Sequence, residues 1–328
     1  MQLSVICPVF DADPIWLLAA AASAMDQCAT SGIAAELILI DDGSVRAETV
    51  EALRELEQAS GAVRVIRPGR NSGPASARNH GLAAACGEWV GFLDADDLWL
   101  PGRLTAQGGL MARRDVAWIG GRHRLLLADG SQRTAAGIAE ALGRPSPGIF
   151  KGPDLTNCLI ANFWMHLGAM LVRRDLARRI GGFAEGLFYA EDVLFMTRLS
   201  AIAPLHLVDA ELYAWRRAGG GLTGAVNRLA PSSLRMHSLA RADPLLCGFR
   251  RELRWARYSA LKGAALNNLL AGRRGMALRL AFAAWRTDPR ELVDFALFVA
   301  LTARGSAAFG APGRRYSATE RVVLEDTK

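Results

Sequence analysis

The chain has 328 residues, which is long for one domain and favours a second domain or a large appendage. Hydrophobic residues make up 51% and charged residues 22%, a composition that excludes wholesale disorder. The net charge of +7 is uneven, because residues 1–228 carry 22 basic and 24 acidic side chains and residues 229–328 carry 17 and 8. One part could therefore bind a metal ion while the other meets an anionic surface.

Cysteine usage and the N-terminus indicate the compartment. The five cysteines are scattered and form no CxxC pair, which argues against disulfides and a zinc site and favours a reducing cytosol. The start MQLSVICPVFDADP has no basic segment before its apolar run and predicts a first strand rather than a signal peptide. The uncharged stretch 155–172 is interrupted by polar residues and predicts buried core or a pocket wall. We therefore expect a cytoplasmic protein.

Short apolar runs alternate with helical patterns along the first hundred residues. Strands are predicted over residues 3–10, 35–44, 63–68 and 88–94, and helices over residues 15–28, 46–60 and 75–86. This alternation is typical of βαβ units, so we expect an α/β fold with a mostly parallel central sheet flanked by helices. Ligands of such sheets bind at the carboxyl ends of the strands.

The pattern after residue 101 is less regular. Residues 169–183 predict a strand, a turn and a short helix, and residues 191–202 predict a helix that begins with two acids. From about residue 230 onward Ala, Leu and Arg dominate, which predicts a helical C-terminal appendage.

The most acidic strand end is GFLDADDLWLPGRL at residues 91–104. Asp94, Asp96 and Asp97 supply the oxygen ligands that Mg²⁺ or Mn²⁺ prefers. The alternative is a solvated acidic turn in which Asp97 caps a following helix through Leu98 to Leu104. Three crowded carboxylates repel one another unless a positive charge lies between them.

Two further stretches carry polar groups. In LILIDDGS, Asp42 could accept an N–H from the edge of a base, although an Asp turn or a helix N-cap at Ser44 explains the tetrapeptide as well. In RNSGPASARNHG, Arg70 and Arg78 flank a turn that enters a helix, an arrangement that suits a phosphate or a plain surface loop.

Taken together these stretches resemble the family 2 glycosyltransferases with the GT-A fold, over about residues 1–225. The resemblance rests on SVICPVFDADP, SAMDQ, ELILIDDGS, RNSGPASARNHGLAAACGEWVGFLDADDLW and GGFAEGLFYAEDVLFMTRL. It implies a GT-A domain over 1–225, a nucleotide-diphosphate-sugar donor and a divalent metal, Mn²⁺ or Mg²⁺. The composition beyond this domain predicts a basic α-helical region over 226–328. Among donors, UDP-sugars are favoured over GDP- and TDP-sugars.

The resemblance also implies site residues. The nucleotide-binding set is Pro8, Phe10, Asp11, Asp42, Arg70, Arg78 and Asp94. Phe10 would lie against the base, Asp42 would read it, and Arg70 or Arg78 would face the nucleotide. Asp94 and Asp96 match the metal motif, with Asp94 nearer the sugar and ribose and Asp96 nearer the metal. The family's usual Tyr-Asn after the first Pro is replaced here by VFDAD, so Phe10 lacks the hydroxyl.

The stretch AEDV at 190–193 resembles the family's Glu-Asp pair, in which the second acid is the general base. Asp192 would then deprotonate the acceptor hydroxyl, with Glu191 raising its pKa, and direct attack implies inversion. An acidic helix N-terminus is the alternative. Arg216 or Arg217 could clamp the diphosphate when a glycine-hinged loop closes. The Gln-x-x-Arg-Trp pattern of processive members is absent from the sequence, which favours a single addition.

Trp164 and His166 could shape an acceptor pocket, although a lone His in an apolar stretch is more often a core residue. The acceptor would be a glycan or a lipid-linked molecule. The basic region could contact the inner face of a membrane, or it could simply present a solvated Arg face; no motif supports nucleic-acid binding.

We therefore expect an inverting glycosyltransferase of polysaccharide or glycoconjugate biosynthesis. The alternatives are a nucleotidyltransferase and a non-catalytic, membrane-associated protein that binds sugar nucleotides. A nucleotidyltransferase would need a Gly-rich phosphate loop after the first strand, and PVFDADP does not provide one.

Overall fold

The computed structural model describes residues 2–162, 165–187, 189–217 and 226–291, together with positions 296 and 299. The chain divides into two compact units, one of residues 1–159 and 163–225 and the other of residues 160–162 and 226–328. Among the described residues, no helix is both long enough and apolar enough to span a membrane.

The first unit contains one mixed sheet. Its described strands are β1 (Leu3–Val9), β2 (Ala35–Asp41), β3 (Val63–Ile66), β4 (Trp89–Phe92), β5 (Leu98–Trp99), β6 (Trp118–Leu127), β7 (Gln132–Thr134), β8 (Gly148–Phe150), β9 (Leu171–Arg173) and β10 (Leu205–Arg217). The order is β3-β2-β1-β4-β9-β6-β10-β5, with β7 paired to β6 and β8 paired to β10.

The strand directions match the α/β prediction. Strands β1 to β4 are mutually parallel, β9 is antiparallel to β4 and to β6, and β10 is parallel to β6. Strands β5, β7 and β8 run antiparallel to their partners. Six of the ten described strands thus share one direction, and the predicted α/β fold with a mostly parallel central sheet is confirmed.

The described helices surround the sheet or form the second unit. They are α1 (Pro14–Ser31), α2 (Ala47–Ala59), α3 (Pro74–Ala84), α4 (Arg103–Met111), α5 (Ile138–Ala141), α6 (Pro153–Asn162), α7 (Arg174–Arg179), α8 (Glu191–Ile202), α9 (Val226–Ala242), α10 (Arg250–Leu270) and α11 (Arg274–Thr287). Every strand and helix predicted over residues 3–94 is present, with ends shifted by a few residues.

Local sequence explains how the first helices begin. Asp13 caps α1 by accepting the backbone N–H of Ile15 at 2.9 Å, and Pro14 occupies the first helical position, where its missing N–H has no cost. Helix α3 begins with Pro74 in the same way. It also packs very closely on β1, because a Cβ at Gly81 would lie 2.4 Å from Ile6 Cγ2. Helix α1 thus begins a short loop after β1, and α3 lies against β1 of the sheet.

The core of the first unit lies between the sheet and its helices. Fully buried apolar residues of β1, β2 and α1 form much of it, among them Val5, Leu37 and Leu17. Burying a Leu or Val side chain stabilises the fold by about 1.5–3 kcal/mol, so these near-continuous apolar runs hold the strand ends in place.

The second unit is helical in its described part. Ala265 and Leu269 of α10 pack against Ala277 and Ala281 of α11. The small alanine side chains allow the two helices to approach closely along these positions. The predicted helical appendage is thus present over the described residues 226–291.

Candidate active site

The predicted site residues follow the carboxyl ends of the parallel strands. Val9 at the end of β1 pairs with Asp41 at the end of β2, and Phe92 at the end of β4 pairs with Ile6 of β1. Parallel strands end at the same edge of a sheet, so the three loops that follow β1, β2 and β4 lie together there.

In the loops after β1 and β2, the acids are bound by backbone amides. Asp11 Oδ1 accepts the N–H groups of Val45 and Arg46 at 2.7 and 2.8 Å. Asp42 accepts the N–H of Ser72 on one oxygen and that of Gly73 on the other, at 2.9 and 2.8 Å. These carboxylates therefore fix the loops that would surround a nucleoside.

Other members of the predicted nucleotide-binding set lie around these loops. Phe10 is 53% exposed and offers an open ring face, while Pro8 is half-buried within β1. Arg70 is exposed in the loop before α3. Asp41, rather than Ser44, makes the turn after β2, because its Oδ1 accepts the N–H of Ser44 at 2.8 Å.

Asp94 and Glu191 share one buried cation, Arg78. The guanidinium of Arg78 donates to Asp94 Oδ1 at 2.7 Å and to Glu191 Oε1 at 2.6 Å. Burial lowers the pKa of Arg78, but Asp94, Glu191 and Asp192 outweigh burial, so that pKa is raised. Burial raises the pKa of Asp94 and the Arg78 charge lowers it, with a net decrease. Part of the positive charge expected among the acids is therefore supplied by the chain itself.

Asp192 lies beside this ion network, in the first turn of α8. Burial raises the pKa of Asp192 to about 7, and repulsion from Glu191 adds to the increase. Its Oδ1 accepts the N–H of Val193 at 2.8 Å. A half-buried carboxylate with a pKa near neutrality is suited to accepting a proton from a hydroxyl.

The acidic triplet after β4 is unequal. Burial raises the pKa of Asp96 to about 6, and the neighbouring charge of Asp94 adds to the increase. Asp97 is only 1% exposed. Burial is the main reason that its pKa is raised well above the usual range, and repulsion from Asp96 and Asp94 adds to the increase. The local negative charge exceeds what Arg78 offsets, and a divalent cation would relieve this repulsion.

The structure does not form the alternative in which Asp97 caps a following helix. Residues 98–99 form strand β5 on the edge of β10, and α4 begins only at Arg103 after Gly102. The carboxylate of Asp97 instead accepts the hydroxyl of Tyr213 at 2.7 Å and the N–H of Arg216 at 2.7 Å. These two donors of β10 satisfy both oxygens of the buried Asp97 carboxylate, whereas a helix cap would use one of them.

Tyr213 and His166 complete the wall around the triplet. The Tyr213 hydroxyl accepts the N–H of Asp94 at 3.2 Å, and the His166 ring stacks on the Tyr213 ring with centroids 4.6 Å apart. A Cβ at Gly168 would lie 2.2 Å from the Tyr213 ring, so a glycine is required there. Burial lowers the pKa of His166 to about 4, leaving it neutral near pH 7.

His166 also belongs to a set of possible metal ligands. One atom each of Asp94, Asp97 and His166 lie within 4.8 Å of one another. This set shares Asp94 with the predicted pair Asp94 and Asp96. Carboxylate oxygens and a neutral imidazole suit Mn²⁺, so the donor chemistry fits a divalent ion.

Arg216 contacts the triplet through its backbone and its side chain. Its Nε donates to the carbonyl of Asp96 at 2.8 Å, and its guanidinium lies 4.9 Å from the Trp16 ring centroid. The guanidinium of Arg217 lies 4.9 Å from the centroid of the Trp215 ring. Trp164 and the glycine-hinged loop after Arg217 are outside the described residues.

Sequence reasoning missed Tyr213 and Arg103. Arg103 is fully buried, stacks over the Trp99 ring at 3.8 Å, and donates to the carbonyls of Gly168 and Met170. It thereby holds the segment that carries His166. A Tyr within an alternating strand and an Arg at the start of a helix are ordinary patterns, so nothing in the sequence singled them out.

Comparison with known proteins identifies the family. The model of "Glycosyl transferase family 2" matches residues 4–176. The O-antigen biosynthesis protein RfbC of Myxococcus xanthus is 30% identical over 199 residues, which are 60% of this chain and 14% of RfbC. The succinoglycan biosynthesis protein ExoW of Rhizobium meliloti is 29% identical over 206 residues, which are 59% of this chain and 62% of ExoW. The chain thus spans less than two thirds of either relative.

Among solved structures, S. aureus TarS 1–349 in complex with UDP-GlcNAc superposes with a TM-score of 0.63 at 16% identity. The match covers 88% of this chain and 81% of that one. It shows a common fold, and the predicted GT-A fold is confirmed. The family model covers more than half of the sequence, and the chain therefore belongs to glycosyl transferase family 2.

Proposed function

We propose that the chain is an inverting glycosyltransferase that moves a sugar from a nucleotide-diphosphate sugar to an acceptor hydroxyl. A UDP-sugar is the favoured donor. The acceptor is a glycan or a lipid-linked molecule in polysaccharide or glycoconjugate biosynthesis. One observation carries the proposal. Asp192, with its raised pKa, lies next to an ion network that reaches Asp94 at the strand-end loop.

The donor would lie along the three strand-end loops. Phe10 would stack on the base, while Asp11 and Asp42 hold the surrounding backbone and Asp42 reads the base edge. Exposed Arg70 is the better placed of the two predicted arginines to meet the nucleotide, because Arg78 is buried between carboxylates. RfbC and ExoW are named for O-antigen and succinoglycan biosynthesis, and TarS was solved with UDP-GlcNAc, which supports the polysaccharide role and the UDP-sugar donor.

Asp94 and Asp96 are the proposed ligands of a divalent metal, with Asp97 and His166 beside Asp94. A bound Mn²⁺ or Mg²⁺ would offset the charge that grows on the leaving diphosphate. The chain itself would contribute Asp192 as the general base that deprotonates the acceptor hydroxyl. Proton transfer from the acceptor hydroxyl to the Asp192 carboxylate accompanies attack on the anomeric carbon from the face opposite the diphosphate, which inverts the configuration.

The test begins with thermal shift in the presence of Mn²⁺ and UDP-, GDP- or TDP-sugars. A UDP-sugar at 100 times its Kd should stabilise the fold by about 2.7 kcal/mol. Release of UDP and transfer to a glycan primer are then measured for the wild type, Asp192→Asn and the control Asp154→Asn, an exposed acid in the first turn of α6. Loss of the base should lower kcat by about 10²–10⁴-fold in Asp192→Asn alone.

The outcomes separate the alternatives. Binding without turnover by the wild type would indicate a non-catalytic sugar-nucleotide-binding protein, and pyrophosphate release from a nucleoside triphosphate would indicate a nucleotidyltransferase. Full activity of Asp192→Asn would remove the base assignment. Retention of the donor's anomeric configuration in the product, seen by NMR, would contradict inversion. Activity that survives complete chelation would contradict the metal.

We further propose that the basic C-terminal region rests on an anionic membrane surface, on the cytoplasmic side. On α11, Leu278, Phe282 and Trp285 are spaced to share one face, and Phe282 is 47% exposed. Arg279 and Arg286 share an adjacent face of the same helix. Exposed apolar side chains beside arginines are typical of helices that lie in the lipid interface.

Co-sedimentation with phosphatidylglycerol vesicles tests this contact. The wild type should bind them, bind weakly to phosphatidylcholine vesicles, and dissociate in high salt. Phe282→Ser should weaken binding several-fold, whereas Ile149→Ser, which removes an equally exposed apolar residue of the first unit, should not. Equal binding by both variants would contradict the assignment of this surface.

A further inference from the structure

Arg78 connects two parts of the first unit that are distant in the sequence. It belongs to α3, Asp94 follows β4, and Glu191 begins α8, 113 residues further along the chain. Arg78 is 6% exposed, and each of its terminal nitrogens already donates to a carboxylate. Its guanidinium also lies 5.6 Å from the Phe183 ring centroid.

This environment differs from that of an arginine that binds a phosphate. An arginine that binds a phosphate presents its terminal N–H groups to the donor cleft, as an exposed side chain such as Arg70 can. Arg78 instead uses both terminal nitrogens inside the protein, between the half-buried Asp94 and the buried Glu191, which would otherwise lack this counter-charge. Its contacts are those of a bridge.

The bridge and the aromatic packing of α8 act at different parts of the helix. The body of α8 is fixed by aromatic packing, because the Phe195 ring stacks on the Phe183 ring at 4.2 Å and contacts Phe92 at 5.8 Å. The turn itself begins after Ala190, whose φ of 66° is left-handed, and has no side-chain cap. The ion pair with Arg78 thus ties Glu191, at the start of the turn that carries Asp192, to the strand-end loop, while Val193 and Leu194 of the same turn are buried.

We propose that Arg78 is a positioning residue that ties the first turn of α8 to the strand-end loop, so that Asp192 is held at a set distance from the donor. The inference rests on the proposed function, in which Asp192 is the base and Asp94 faces the donor sugar. Arg78 would touch neither the donor nor the acceptor. It would act through Glu191 and Asp94.

Kinetics of the full-length protein test the role. Arg78→Met should lower kcat by about 100-fold, because small displacements of a reacting group have effects of that size. The Kd for UDP should change less than threefold. Arg78→Lys keeps the charge but reaches one carboxylate at a time, so it should recover part of the kcat. Arg174→Met, which removes a half-buried arginine bonded to the Ala85 carbonyl, is the matched control and should leave kcat unchanged.

Amide hydrogen exchange gives a readout that does not require activity. Arg78→Met should speed exchange of the amides of residues 190–194 and leave the amides of residues 196–202 protected. Glu191→Gln, which keeps the shape of the side chain and removes its charge, should show the same pattern more weakly. It also serves as the test if Arg78→Met does not fold.

Two results would overturn the inference. One is a Kd for UDP at least tenfold weaker with kcat preserved, which would make Arg78 a nucleotide ligand. The other is unchanged exchange at residues 190–194 in every variant. If Asp192→Asn keeps full activity while Arg78→Met still loosens the turn, the proposed base has failed but the bridge has not.

Discussion

Two groups of strand-end acids in this protein look alike in the sequence and differ in the structure. Asp11 and Asp42, after β1 and β2, accept backbone N–H groups of neighbouring loops. Asp94, Asp96 and Asp97, after β4, lie close together and contact side chains of α3 and β10. The first group builds the loops, whereas the second concentrates negative charge.

The difference shows that the residue type alone does not mark a reactive site. A carboxylate that accepts backbone N–H groups has its charge stabilised locally. At Asp96 and Asp97, burial raises the pKa and repulsion between the crowded carboxylates raises it further, and a bound cation can relieve that repulsion. Sites with such stored repulsion are expected to trade stability for function.

Among the strand-end acids, the largest expected effect follows from removing the Asp96 charge. Asp96→Asn should lower the transfer rate by at least about 100-fold, because it removes a ligand of the proposed metal, and a bound metal would supply several kcal/mol of charge stabilisation. Its Tm without metal should be unchanged or higher, because burial and Asp94 already disfavour the charge. Steady-state kinetics with Mn²⁺ and calorimetry without it give the two values. A lower Tm with normal activity would place Asp96 among the loop-building acids.

The second expectation concerns pH. The pKa of Asp192 is raised to about 7, mainly by burial, and only the deprotonated form can accept a proton. The value of kcat should therefore fall by about tenfold per pH unit below about 7 and level off above it. A pH–rate profile from pH 5 to 9 with saturating donor measures this. A rate that is flat down to pH 5 would show that Asp192 does not act as the base.

The third expectation concerns the partner of Asp97. Tyr213→Phe leaves Asp97 Oδ2 and the Asp94 N–H without the hydroxyl, and it should cost about 2 kcal/mol of unfolding free energy. Denaturant unfolding measures the loss. Trp215→Phe, two residues further along β10, is a control that leaves this hydroxyl in place. Equal stability of wild type and Tyr213→Phe would mean that the triplet is not held by β10.

The smallest effects belong to the loop-building acids. Asp11 accepts both amides on one oxygen and has a φ of 44°, which Asn tolerates, so Asp11→Asn should change the unfolding free energy by less than about 0.5 kcal/mol. Asp42 uses both oxygens, so Asp42→Asn should cost about 1 kcal/mol or more. Denaturant unfolding compares the two variants. A larger loss in Asp11→Asn than in Asp42→Asn would contradict the idea that the number of hydrogen-bonded carboxylate oxygens sets the loss.

Several predictions from the sequence depended only on short stretches of chain. The strands and helices over residues 3–94 and the helix at 191–202 follow from apolar spacing and from turn residues, which act within a few positions. The meeting of the strand-end loops followed from the alternation of strands and helices. Asp97 shows where this reasoning ends, because the local pattern left a metal ligand and a helix cap both open. Neither alternative included the pairing of residues 98–99 with β10.

By itself the sequence thus determined the α/β architecture, the edge of the sheet at which the polar residues gather, and the resemblance to the family. Only the tertiary structure decided which acids share a partner. Tyr213 lies 116 residues from Asp97, and Glu191 lies 113 residues from Arg78. No local pattern specifies pairs at such separations, since they form only when packing of the sheet and α8 brings distant segments together.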